Sequence, residues 1–178
     1  MTADRFLHAA LARMRQIKSL GDGALARVSE AQLFHRTDTE ANSIAIIVQH
    51  LHGNMLSRWT NFLTEDGDKP WRQRDAEFEP VVSDAAKIHE LWQQGWALTL
   101  DTIQALQPGD ITREVTIRGE SMLVLDALIR QIGHYAYHVG QMVTLARQQV
   151  GPAWQTLSIA RGRSGDYKPQ QRAPGLKE

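Results

Sequence analysis

Residues 133–141 read GHYAYHVGQ, and the two histidines in this stretch, His134 and His138, stand four apart. On a helix that spacing puts both imidazoles on one face, with Cβ atoms about 5–6 Å apart. It is the usual way for one helix to offer two ligands to a metal ion. The metalloprotease pattern fails because position 135 is tyrosine rather than the glutamate of H-E-x-x-H. Di-iron bundles need a glutamate three residues before each histidine, and Gln131 and Tyr135 hold those places. Spacing alone leaves two readings open: two ligands awaiting a third, or two ring side chains within a core.

A third ligand has to come from another helix. The stretch QHLHGN supplies His50 and His52, which point about 160° apart at about 100° per residue. The apolar stripe there is Ile44, Val48, Leu51, Met55, Trp59 and Phe62. His50 borders it on a line with Ser43, Ile47, Asn54 and Asn61, a row suited to a partly buried polar site. His52 borders the other side, so His50 is the better ligand. His8, His35 and His89 are read as ordinary surface or core histidines. Amides one turn from the ligands, Asn54 beside His50 and Gln131 and Gln141 flanking the pair, are the groups expected to accept each ring's second N–H.

Four helices have to position these residues, over about 3–19, 39–63, 83–106 and 121–150. Gly21-Asp22-Gly23 is expected to break the first, Thr39 to cap the second, EDGDKP (65–70) to stop it, and Ser83 to cap the third. Segment 70–82 reads as an ordered crossover. EVTIRGE (114–120) alternates and is β-branched, as a short strand or hairpin is. Ser121 is expected to open the last helix and Gly151-Pro152 to end it, leaving a coil over 151–178. An all-α single domain over 1–178, built as a helical bundle with a small hairpin before the last helix, follows. On the wheel of the last helix the apolar stripe is Leu125, Leu128, Ile132, Ala136, Val139 and Val143, which puts the histidine pair nearly opposite it. Either the histidines face solvent or the helix is contacted on two sides, by the bundle and by another subunit; the flanking Leu123, Ala127 and Leu145 favour the second, a hint of a homodimer.

Composition narrows the function. Lys+Arg and Asp+Glu are both 20, so no charge footprint for nucleic acid or an anionic membrane exists. The longest clean apolar run, Ile44 to Val48, is far short of a membrane span, and MTADRFLHAALARMRQ lacks the apolar core of a secretion signal. The expectation is a soluble cytoplasmic protein acting on a small molecule. There is no cysteine, so any thiol chemistry must use a thiol from outside.

The stretches NSIAIIVQHLHGNMLSRWTNFLTEDGDKPWRQRDAEF, VTIRGE, HYAYHVGQMV and WQTLSIARGRSGDY, in that order from about Asn42 to Tyr167, resemble a branch of the DinB-like superfamily of metal-dependent proteins. The resemblance implies a four-helix bundle of up-down-down-up topology, often dimeric. It also implies a divalent metal held by His50, His134 and His138. Relatives with known activity use a low-molecular-weight thiol, as S-transferases or a thiol-dependent isomerase; the branch resembled here is among the less characterised. Three neutral imidazoles leave a tetrahedral ion one open position, where bound water drops to a pKa of about 7 or a thiol is held as thiolate. Thiol transfer to an electrophile and hydrolysis both fit this ligand set, and a non-catalytic dimeric bundle is the third reading. Zinc is the expected metal, with nickel, iron or manganese also compatible with the donors. Arg161 and Arg163 of SIARGRS match a motif of the resemblance and are candidates to pair with substrate carboxylates.

Overall fold

A computed structural model describes residues 2–166. The end of the coil expected over 151–178, and Tyr167 of the last matching motif, lie outside the described residues. The helices are α1 (Ala3–Leu25), a short α2 (Glu30–Phe34), α3 (Ile44–Trp59), α4 (Ala85–Ala105) and α5 (Val124–Val150). A two-stranded antiparallel hairpin, β1 (Glu114–Ile117) and β2 (Glu120–Leu123), precedes α5. Among the described residues no helix is long and apolar enough to cross a membrane.

Leu7, Ala10, Met14, Ile17, Ala24 and Leu25 recur at helical spacing and bury one face of α1. The helix does not break at Gly21-Asp22-Gly23. Gly21 faces the ring of Trp92 on α4, where any Cβ would overlap the indole, and Asp22 accepts the indole N–H at 2.7 Å. A sequence that looks like a turn is here a close-packing device between two helices.

Between α1 and α3 the chain forms a further short helix. Ser29 and Gln32 form a reciprocal capping box that starts α2. The next helix begins at Ile44 rather than Thr39, because Ser43 Oγ accepts the Ile46 N–H at 3.1 Å. Ile44 to Leu51 are buried without a break, so α3 is apolar almost all round, as an inner helix must be. It ends at Trp59, short of the expected residue 63. Asp84, not Ser83, caps α4 through the Ala86 N–H.

The hairpin turns on Arg118 and Gly119, both at positive φ (57° and 74°), which two-residue hairpin turns require. Thr116 pairs with Ser121 and Val115 with Met122, so residues 120–123 are strand and α5 starts at Val124 rather than Ser121. Gly151 at φ 62° ends α5 as expected.

Helix α3 packs on α4 and α5, and α1 packs on the same two helices, around one apolar core that includes Trp59, Trp92 and Trp96. The buried face of α5 is Val124, Ala127, Leu128, Gln131, Tyr135, His138, Val139, Met142 and Ala146. Ala136, in the middle of the expected stripe, is exposed. The wheel misjudged the face because it counted only apolar residues, whereas Gln131, Tyr135 and His138 are polar groups turned inward. The histidine pair does not lie opposite the core.

Candidate metal centre

His50 reaches the site from the second turn of α3, and His134 and His138 come from successive turns of α5. Ring nitrogens of the three lie within 4.8 Å of one another. His50 Nε2 and His134 Nε2 are 3.3 Å apart. Two nitrogens each about 2.0–2.1 Å from a tetrahedral ion stand about 3.3 Å from each other, so this pair already has the separation that a shared ion sets. His50 and His138 are buried and His134 half-buried.

The far edges of two rings are anchored. His50 Nδ1 donates to Glu77 Oε2 at 2.9 Å, and His138 Nδ1 donates to Gln141 Oε1 at 2.9 Å. A carboxylate only accepts, so His50 Nδ1 carries a proton and Nε2 is the ring nitrogen that faces the cluster. Burial, with the neighbouring imidazoles adding to it, pulls His134 down to about 3 and His138 to about 4. Both are therefore neutral, the form that ligates.

Glu77 has its own support. Arg72 grips it with two hydrogen bonds, Nε to Oε1 at 2.7 Å and Nη2 to Oε2 at 2.8 Å. Burial pushes the Glu77 carboxyl up, but the bonds from Arg72 and His50 outweigh it and hold the group below its usual range. Glu77 lies in a short 3-10 turn, Asp75–Phe78, inside the crossover, and Phe78 from the same turn stacks on His50 with centroids 4.5 Å apart. The turn can approach because position 53 is glycine: a Cβ there would overlap the Glu77 carboxylate. Sequence reading had this segment only as an ordered crossover and did not find Glu77, Arg72 or Phe78. The one available signal was Gly53, a helix-interior glycine of the sort that marks a close approach.

Of the three amides expected beside the rings, Gln141 meets one. Asn54 and Gln131 do not; they bond to each other (2.9 Å) and to the Tyr135 hydroxyl, which also accepts the Trp59 indole N–H at 2.9 Å. This buried network ties α3 to α5 directly beneath the histidines. Burial pushes the Tyr135 phenol up to about 12, so it stays neutral. His52 is not part of the cluster: its backbone packs against Gly95 of α4 and its ring lies beside Gln94. His8, His35 and His89 are exposed.

The cluster forms part of the wall of a cavity of about 370 Å³. Arg161 and Arg163 do not line it; both are exposed in the coil after α5, where Arg163 bonds Asp166. The arginines that do line it are Arg58, Arg72, Arg74, Arg118 and Arg130. Arg118 is brought there by the hairpin turn, whose Arg118 and Gly119 N–H groups both donate to the Asp66 carboxylate at 2.9 and 2.8 Å.

The donor set fits a divalent ion of the imidazole-loving kind. Three imidazole nitrogens converge, two rings are oriented from behind, and the remaining side opens on a cavity. The model of the family described as "Protein of unknown function (DUF1572)" matches residues 1–163 of the chain. No curated protein and no solved structure matches it.

Proposed function

The chain belongs to the DUF1572 family, and we propose that it is a divalent-metal-dependent enzyme whose ion is held by His50, His134 and His138. The observation that carries this reading is the convergence of three imidazole nitrogens within 4.8 Å, with Glu77 and Gln141 bonded behind two of them. Zinc is the ion proposed, since neutral imidazoles in a tetrahedral arrangement suit it. The reaction proposed is transfer of a low-molecular-weight thiol to an electrophilic small molecule. The absence of cysteine supports it, because no sulfur of the protein competes for the open side of the site. The up-down-down-up four-helix bundle and the homodimer implied by the DinB-like resemblance belong to the same proposal. The ring of contacts among α1, α3, α4 and α5 supports the bundle.

When bound, the ion supplies Lewis acidity and lowers the pKa of a ligand at its open position. The protein's own residues do the rest. Glu77 and Gln141 fix the tautomers of His50 and His138, and Arg72 keeps Glu77 ionised in a buried position. Phe78 covers His50 and keeps water from its face. The Trp59–Tyr135–Gln131–Asn54 network ties α3 to α5 beside the ligands.

The test is a metal-replete sample screened with several low-molecular-weight thiols against a panel of electrophiles. Thiol-dependent conjugation that disappears on chelation is the expected result. Ester or amide cleavage without added thiol would replace thiol transfer with hydrolysis.

A further inference from the structure

The chain as a whole is neutral, with 20 basic and 20 acidic residues, yet the cavity beside the histidines is lined by five arginines and by no Asp or Glu. Two of the five are compensated from outside the lining. Arg72 is paired with Glu77, and Arg118 Nε lies 3.2 Å from Asp68. Among the described residues Arg58, Arg74 and Arg130 form no salt bridge.

Arg58 is the informative one. It is 2% exposed, its guanidinium lies under the 65–69 loop where Gly67 leaves room for Nη1, and Nε and Nη1 have no hydrogen-bond partner among the described residues. Burial pulls it down to about 10. A buried cation without a salt bridge is among the costlier features a fold can hold, and neighbouring Arg130 and Arg72 add repulsion that the attraction of Asp68 offsets only in part. An ordinary surface arginine would avoid this cost by turning to water. A cavity wall with surplus positive charge is complementary to an anion, and guanidinium forks suit planar oxyanions best.

We infer that the small molecule handled at this site carries at least two oxyanion groups, carboxylate or phosphate, seated by Arg58 and Arg130 with Arg74 contributing. The inference names the substrate class of the site proposed above and rests on that reading for what happens to the molecule, but not for its binding.

Binding is therefore measured on the full chain freed of metal, by titration calorimetry at fixed ionic strength. The probes are acetate, succinate, tricarballylate and inorganic phosphate, with glycerol as a neutral control. Saturable binding that tightens about tenfold or more from acetate to the di- and trianions is expected, since one charge-assisted contact contributes about that factor. Phosphate against tricarballylate decides which oxyanion the site prefers. Arg58→Gln and the exposed Arg130→Gln should each weaken the best anion about tenfold. Arg161→Gln in the tail should leave it unchanged. Because Arg58 is buried, the Arg130→Gln and Arg74→Gln variants keep the test open if Arg58→Gln does not fold. No saturable anion binding, or binding indifferent to Arg130→Gln and Arg74→Gln together, overturns the inference. The same titration on His138→Ala separates the two proposals: retained anion binding in a protein that takes up no metal upholds the anion site alone.

Discussion

Helices α3 and α5 meet twice through polar side chains, and the two meetings are built on opposite terms. In the lower one, Trp59, Asn54, Gln131 and Tyr135 bond to one another and to nothing outside. In the upper one, two of the three rings are anchored from behind while ring nitrogens of His50, His134 and His138 converge within 4.8 Å of one another, His50 Nε2 and His134 Nε2 at 3.3 Å. A satisfied buried network fixes a packing arrangement. A convergent set of imidazole nitrogens beside a cavity is an arrangement that a divalent ion could fill. Similar residue types, one helical turn apart, thus separate into a structural clamp and a site.

Chelation probes the upper meeting and should have the largest effect on stability. At free metal about 1,000 times Kd the bound ion adds roughly 4 kcal/mol, so a strong chelator should lower the melting temperature by several degrees or more. Melting that is indifferent to chelator and to added zinc would make the two meetings alike. Tyr135→Phe addresses the lower one. It leaves the Trp59 indole and the Asn54 and Gln131 amides short of a partner, costing about 1–3 kcal/mol in denaturant unfolding, while metal stoichiometry stays at one per chain. Loss of the metal in that variant would mean the clamp and the site are one unit.

Glu77→Gln keeps the shape and removes the charge behind His50. Metal affinity should fall about 10–100-fold with the fold intact, as followed by competition with a chromophoric chelator. Gly53→Ala is the smallest change. Alanine favours the helix by about 0.5–1 kcal/mol, but its Cβ displaces the Glu77 carboxylate. The expected outcome is a loss of metal affinity that approaches that of Glu77→Gln. Full affinity in Gly53→Ala would show that Glu77 does not act on His50.

How much of this was legible in the sequence follows from which interactions are local. The H-x-x-x-H spacing is a property of one helix, so His134 and His138 could be placed together without knowing the fold. His50 could be preferred over His52 because a polar row beside an apolar stripe is visible on the wheel. Glu77 and Arg72 were not visible, since they act from an irregular segment whose path no periodicity reports. The arginines of the cavity come from α3, the crossover, the hairpin tip and α5, so only the assembled chain brings them together; attention fell instead on Arg161 and Arg163, which sit in the exposed tail. The wheel of α5 and the GDG stretch of α1 failed for a common reason. Polar residues and glycines were read by their average habits, whereas inward hydrogen bonds turn Gln131 and Tyr135 to the core and the ring of Trp92 accounts for Gly21.

The central claim is that three histidines from two helices hold one divalent ion. Equilibrium titration of metal-free protein with zinc, beside the His138→Ala variant, tests it most directly. The account predicts one ion per chain for the native sequence and less than about 0.2 for the variant, because removing one of three protein ligands empties a site of this kind. Failure of the native protein to take up any divalent ion, or equal uptake by His138→Ala, would contradict it.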